Sequence, residues 1–372
     1  MTPAARRHSC FAVIAPGFES VAVAELRALG ATDAVAEPGG VAFSADDALL
    51  LTVNLWSRVA SRVLVRVAEF PAKSFAELER RAKTVRWKDW LPSGATKASA
   101  EFAVTCKKSR LYHSDAIAER LGKWCGAPVG GDVVQQFVVR LMRDVVTISA
   151  DASGELLHKR GYRLATAKAP MRETIAAGCL LALGYDGTQP LADFMCGAGT
   201  IPIEAALIAQ RIAPGQGRAF SCEAWPGFDR KAGAKVRAAA GAAVHQSGAA
   251  SITAADRDEG AIEATRANAA RAGVAESLTI LTQSFGAAAP PVGSSAGLIL
   301  INPPYGERVT GGPDLRNLYA QIGNVMCERF AGWRLAMVSA DPALEAQVKL
   351  PLSEVLRFSN GGIRVRLVAT KG

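Results

Sequence analysis

The chain has 372 residues, enough for two domains with cores of their own, and its 49% hydrophobic and 21% charged residues exclude a disordered chain. Its formal charge is +9, with 23 Lys/Arg against 17 Asp/Glu in residues 1–165 and 20 against 17 in residues 166–372. That basic first half suits a polyanion such as nucleic acid, because Lys and Arg release condensed counterions on meeting phosphates.

Seven cysteines, at 10, 106, 125, 179, 196, 222 and 327, form no CxxC pair and no Cys/His cluster. The spacing predicts free thiols in a reducing compartment, without a disulfide framework or a metal site. Arg6 and Arg7 precede an apolar run, Cys10 to Ala15, that is too short for a secretory signal, and no later stretch approaches a membrane span. The expected location is the cytoplasm, with no membrane partner.

In chain order, "CFAVIA" reads as a strand and Phe18 to Leu29 as a helix ending at Gly30. "VAFS" follows as a strand, and Asp47 to Trp56 as a second helix. Arg62 to Val67 alternates in period two, the pattern of a half-exposed strand. Glu101 to Cys106 is a further strand, Ser114 or Asp115 caps a helix to Cys125, and "VVQQFVVRL" and "VVTISA" form a hairpin around Met142-Arg143-Asp144. "DASGE" and Pro170 interrupt the pattern and place a boundary between residues 151 and 170.

Beyond it β and α elements alternate: a helix from Arg172 to Leu183, strand "PLAD", a glycine turn, and a helix capped by Thr200 with Pro202 in its first turn. Strand "SITAAD", a helix to Gly273, strand "SLTILTQ", strand "LILI", another helix and strand "RLAMVSA" follow. The pair "VLRF"/"IRVRLVA", turned by Asn360-Gly361, closes the chain. Such alternation predicts an α/β fold whose mostly parallel, Rossmann-like sheet is covered on both faces and carries an antiparallel edge.

Three strand ends carry the chemistry. "ADFMCGAGT" sets Asp193 before a turn containing Cys196, Gly197 and Gly199, with Thr200 opening the helix, where glycines let a ligand approach the backbone. "AADRD" puts Asp256 and Arg257 at the next strand tip, where a carboxylate can accept both ribose hydroxyls of an adenosine; Asp258 reads as a helix cap. Residue 202 is Pro, so the dinucleotide spacing GxGxxG is incomplete, and no phosphate-clamping GxxxxGK[ST] loop occurs. An adenosine ligand without a pyrophosphate remains. At the third tip, "NPPY" offers Asn302 Oδ1 and the Pro303 carbonyl as acceptors for the two donors of an exocyclic amine. Pro303 and Pro304 fix the backbone, and Tyr305 can stack on the base.

These segments resemble class I S-adenosylmethionine-dependent methyltransferases of exocyclic base amines. "LHKRGYRLATAKAPMRETIAAG" and "IAPGQGRAFSCEAW" are similar to the bacterial 23S rRNA guanine-N2 methyltransferase group, and "GFESVAVAELRALG", "NLWSRVASRVLVRVAEF" and "CKKSRLYHSDAIAERL" to its ferredoxin-like and THUMP region. The resemblance covers nearly the whole chain. It implies residues 1–160 as a ferredoxin-like plus THUMP RNA-binding region and 161–372 as the catalytic domain. S-adenosylmethionine would be held by Asp193, Cys196, Gly197, Gly199, Thr200, Asp256, Arg257, Ser284 and Asn302, and the reaction carried by Asn302, Pro303, Pro304 and Tyr305. Lys107, Lys108, Arg110, Tyr112, Lys159 and Arg160 are expected to meet RNA, with Tyr162 and Arg163 beside them; Arg218 and Glu223 read equally as an internal ion pair. The expected RNA is rRNA, with tRNA or adenine N6 as the alternative target and a non-catalytic RNA-binding or assembly factor as the alternative class. Gln283-Ser284-Phe285 stands where many relatives carry an acidic residue that meets the adenine amine, and the second methyltransferase domain of some fused relatives is not expected here.

Overall fold

The computed structural model describes residues 7–93, 98–126, 133–164, 171–245, 250–304 and 312–371. Two units emerge, each discontinuous in sequence: Met1–Ile14, Val23–Leu157 and Arg218–Ala239 in one, and Ala15–Ala22, His158–Gly217 and Ala240–Gly372 in the other.

The elements of the first stretch are β1 (His8–Ile14), α1 (Glu19–Ala28), β2 (Val35–Glu37), β3 (Gly40–Ala45), α2 (Asp47–Trp56), β4 (Ala60–Pro71), α3 (Phe75–Ala82), β5 (Ala98–Lys107), α4 (Ser114–Cys125), β6 (Val133–Met142) and β7 (Val145–Asp151). Their strands form one seven-stranded sheet in the order β2-β3-β1-β4-β7-β6-β5, antiparallel except for the β5–β6 pair. Period two fails along β4: Val63, Leu64 and Val65 are all buried, and a register shift against β7 falls between Arg66 and Ala68. The β6–β7 hairpin turns through Arg143 and Asp144, both at positive φ, as a two-residue hairpin loop requires.

Along the rest of the chain follow α5 (Glu173–Ala182), β8 (Leu191–Asp193), α6 (Thr200–Ala209), α7 (Arg230–Ala242), which lies mostly in the first unit, β9 (Ile252–Asp256), α8 (Glu259–Arg271), β10 (Leu278–Thr282), β11 (Gly297–Ile301), α9 (Gly312–Arg329), β12 (Trp333–Ser339), α10 (Pro342–Gln347), β13 (Leu352–Asn360) and β14 (Ile363–Thr370). The sheet order is β10-β9-β8-β11-β12-β14-β13, with β10 through β12 parallel and β14 and β13 antiparallel. Strand order therefore reverses at β8, the switch point of a doubly wound, Rossmann-like sheet, where ligands sit outside the carboxyl ends of the strands.

Every residue of β11 is buried, and Leu298, Ile299, Leu300 and Ile301 each contribute about 1.5–3 kcal/mol of apolar transfer. Tyr319, Ile322, Val325 and Met326 of α9 recur at helical spacing and pack into one core with Phe194, Phe285, Phe330 and Trp333. Gly297 is needed where β11 starts, because a Cβ there would lie 2.6 Å from the Trp333 ring. The closing hairpin turns through Gly361-Gly362, both at positive φ, while Asn360 pairs with Ile363; the turn thus lies one residue later than the sequence suggests, at the two positions that tolerate left-handed backbone.

Candidate active site

Parallel β8, β9, β10 and β11 bring Asp193, Asp256, Gln283-Ser284 and Asn302 to one edge of the sheet. Asp193 is buried and accepts a hydrogen bond from the Met195 N–H at 3.0 Å. Burial pushes its carboxyl well above the usual carboxylate range, and the nearby Asp256 charge pushes it the same way. Asp256 is half-buried and ties the first two strand ends together: Oδ2 accepts from the Gly197 N–H at 3.0 Å, and Oδ1 from the Asp258 N–H at 3.0 Å. Asp258 itself caps α8, accepting from Gly260 and Ala261.

The turn after β8 is held from several sides. Cys196 N–H donates to the Ala255 carbonyl and Gly199 N–H to the Cys196 carbonyl. The Cys196 thiol lies buried, 3.7 Å from Thr265 Oγ1, and burial raises its pKa, so it is an inert packing group and not a nucleophile. Gly197 and Gly199 both take positive φ. Thr200 is not the cap: Gly199, left-handed at φ 82°, occupies the N-cap position without a side-chain bond, and Thr200 is the first helical residue. A left-handed cap places the first N–H groups of α6 without requiring a hydroxyl.

At the end of β11, Asn302 is half-buried, Pro303 buried and Pro304 half-buried. Asn302 Oδ1 is buried and accepts no hydrogen bond among the described residues. Tyr305 lies outside the described residues. Ser284 is exposed at the N-cap of a short 3-10 turn, Phe285–Ala287, with no side-chain capping bond, and Arg257 is exposed. Phe285 packs edge-on against Phe194 at 5.6 Å, and Gln283 N–H donates to the Asp256 carbonyl at 2.8 Å, so the tip of β10 is fixed by backbone and ring contacts.

Of the residues expected to meet RNA, Lys107 at the end of β5 and Lys108, Arg110 and Tyr112 on the β5–α4 loop are exposed. The tip of the β6–β7 hairpin braces that loop: Asp144 Oδ1 accepts from the Arg110 N–H at 2.7 Å, and Arg143 N–H donates to the Lys107 carbonyl at 3.2 Å. Lys159 is exposed, but Arg160 is not, which corrects its expected role. Its side chain is 2% exposed and its Nε lies 3.4 Å from Glu204 Oε1, so its charge is committed to a buried carboxylate. Tyr162 is buried too, its hydroxyl donating to Glu204, and Arg163 pairs with Glu173. Glu223 pairs with Arg237, while Arg218 donates to the Leu156 carbonyl. Thr265 and Asn268 of α8, absent from the expected site, both bond the turn; Asn268 in "RANAARAG" is a buried amide on an otherwise Ala-rich helix, a signal that a local reading passes over.

The arrangement fits S-adenosylmethionine. Each Asp256 oxygen keeps a lone pair for a ribose hydroxyl after accepting one N–H, and a Cβ at Gly197 would meet nothing within 4 Å, so the turn is open beside that carboxylate. Among the described residues no group of His, Cys, Asp and Glu could hold a metal ion, and no helix is long and apolar enough to cross a membrane.

Comparison with known proteins gives the family and the fold. Residues 160–368 match the UPF0020 family, described as "RMKL-like, methyltransferase domain", and residues 9–64 match the "RlmL ferredoxin-like domain". A Synechocystis protein named "Putative RNA methyltransferase slr0064" is 32% identical over 370 residues, covering 96% of this chain and 95% of that protein. The crystal structure of SMU.472 complexed with SAH has a TM-score of 0.89 at 28% identity, covering 99% of this chain and 98% of the other. A protein of Listeria monocytogenes, described as a "predicted N6-adenine-specific DNA methylase", has a TM-score of 0.88 at 31% identity, covering 99% and 97%. The chain belongs to the UPF0020 family of RMKL-like methyltransferases, with an RlmL-type ferredoxin-like domain at its N-terminal end and S-adenosylmethionine as its cofactor.

Proposed function

We propose that the protein methylates an exocyclic base amine of RNA, guanine N2 of 23S rRNA foremost. The observation that carries this reading is the buried Asn302 Oδ1, which accepts nothing among the described residues although it stands at the strand end beside the cofactor's. A buried acceptor left without a donor costs about 1–3 kcal/mol, and an incoming amine N–H would repay it.

S-adenosylmethionine supplies an electrophilic methyl group on sulfur. The chain's residues position its partner: Asn302 Oδ1 and the Pro303 carbonyl accept from the two N–H groups of the amine, aim its weakly nucleophilic nitrogen, and favour the positive charge that develops there. No strong base is needed beforehand, because the proton becomes acidic once the methyl has arrived. A paired target must leave its stack, at a cost of a few kcal/mol. Asp193, Cys196, Gly197, Gly199, Thr200, Asp256, Arg257 and Ser284 line the cofactor side in this reading, and Tyr305 stacks on the base.

Residues 1–160 serve as a ferredoxin-like plus THUMP module that delivers RNA to a catalytic domain over 161–372, in the cytoplasm. The exposed Lys107, Lys108, Arg110, Tyr112 and Lys159 contact it, Lys and Arg at phosphates and Tyr112 at a base. The RNA methyltransferase name of the Synechocystis relative supports the substrate class. Adenine N6 is the second reading, favoured by the description of the Listeria protein, since that amine offers the same two donors.

Incubation with methyl-labelled cofactor and separate rRNA and tRNA, followed by nucleoside analysis, tests both. Label in N2-methylguanosine from 23S rRNA is expected; label in N6-methyladenosine or in tRNA replaces the target, and no label in any RNA rejects RNA as substrate.

A further inference from the structure

One face of α8 is turned toward the glycine turn, with Thr265, Asn268 and Arg271 spaced three residues apart. Thr265 and Asn268 are fully buried. Thr265 Oγ1 donates to the Gly197 carbonyl at 2.8 Å, and Asn268 Nδ2 donates to the Ala198 carbonyl at 2.9 Å. Two consecutive carbonyls of the turn are thereby drawn back onto α8. On the same peptide stretch, Gly197 N–H is drawn to Asp256.

The Asn268 amide has one workable orientation. Its Oδ1 accepts from Arg271 Nη2, which leaves Nδ2 to face Ala198. Arg271 is fixed in turn, because its Nε donates to the Tyr162 carbonyl at 2.7 Å. The Tyr162 hydroxyl donates to Glu204 Oε1 at 3.0 Å, and Glu204 lies in α6, the helix that starts from the same turn. A closed circuit results: turn, α8, the 158–164 segment, α6, and back to the turn.

We propose that Thr265, Asn268 and Arg271 are positioning residues for the cofactor, setting the height and peptide orientation of the 197–199 turn and hence the affinity for S-adenosylmethionine. The inference rests on the reading that the cofactor is seated on that turn. Its physical basis is preorganisation. A turn with two glycines at positive φ has more unfolded freedom than other peptide, so its bound shape must be imposed from outside if binding is not to bear the ordering cost. Buried hydrogen bonds to its carbonyls do this, and removing a donor leaves a buried carbonyl unsatisfied and free to reorient.

The test uses the full chain with Thr265→Val, Thr265→Ser, Asn268→Ala, Arg271→Ala and a control, Asp256→Ala. Cofactor affinity is read by calorimetry with S-adenosylmethionine, the Michaelis constants for cofactor and RNA are compared, and melting temperature is recorded. Thr265→Val and Asn268→Ala are expected to bind cofactor about tenfold more weakly, as loss of one buried hydrogen bond implies. Their Michaelis constant for cofactor rises while that for RNA stays unchanged. Thr265→Ser restores affinity, and Arg271→Ala shows a smaller loss in the same constant. A purely structural role would lower the melting temperature and leave both constants alone.

If Asp256→Ala loses binding while Thr265→Val and Asn268→Ala bind like the wild type, the inference is overturned and the site reading stands. If Asp256→Ala also binds normally, the site reading fails and the inference with it. Should Asn268→Ala not fold, the nearly isosteric Thr265→Val against Thr265→Ser decides alone.

Discussion

Gly197 N–H donates to Asp256 Oδ2 at 3.0 Å across 59 residues of sequence, fastening the glycine turn after β8 to the acidic tip of β9. One carboxylate therefore holds the turn in shape and, in the proposed reading, also keeps lone pairs for a ribose. Replacing Asp256 with Ala removes both. Charge-assisted hydrogen bonds contribute about 1.5–3 kcal/mol each, so cofactor affinity should fall by about 10- to 100-fold in calorimetry. Unchanged affinity would move the ribose contact elsewhere.

The two glycines of the turn should not tolerate substitution equally. Gly197→Ala meets only the cost of left-handed backbone, about 1–2 kcal/mol, because its Cβ finds no atom within 4 Å. Gly199→Ala adds a clash, its Cβ falling 2.8 Å from Thr265 Cγ2. Thermal melts should rank Gly199→Ala as the more destabilised; the reverse order contradicts the packing described.

Two groups, the half-buried His158 and the buried Asp151, give stability opposite dependences on pH. His158 has its pKa pushed down to about 4 by burial, with Arg172, Arg163, Arg160 and Lys159 acting in the same direction. Between its ordinary 6.5 and about 4 the unfolded chain binds a proton that the native chain refuses, so His158 lowers stability as pH falls through that window. Asp151 is pushed up to about 6 by burial, against the pull of Arg62 3.0 Å away. There the native state holds the extra proton, so its contribution is fully present below 3.8 and is lost as pH rises through about 6. NMR titration should place the His158 midpoint near 4, and a midpoint near 6.5 contradicts its burial. Asp151→Asn should be stabilised relative to wild type at pH 7 and lose that advantage toward pH 4; a pH-independent difference in denaturant melts contradicts it.

The strand ends were legible because each apolar run stops abruptly: "PLAD" at Asp193 and a glycine turn, "ITAAD" at Asp256, "LILI" at Asn302 and two prolines. Such stops are local, and local signals survive in a sequence. Partnerships across the fold do not. Arg160 reads as a surface cation until Glu204, 44 residues away, is placed beside it in the interior. Thr200 reads as a cap because its hydroxyl suits one, while the conformation that decides the matter belongs to Gly199. Helix α3 carries a readable stripe, Phe75, Leu78 and Ala82, between the elements expected from the sequence; α7, rich in Ala and charge, has no stripe of large apolar residues to read.

The central claim is that Asn302 aims the target amine without being required for cofactor binding. The decisive measurement is Asn302→Ala in two assays, calorimetry with S-adenosylmethionine and single-turnover methyl transfer to 23S rRNA. Cofactor affinity should stay within about threefold, well under the 1.4 kcal/mol of a tenfold change. Turnover should fall by about 10²- to 10³-fold, the usual effect of removing one preorganised polar contact to the reacting group. Wild-type turnover in that variant would contradict the account.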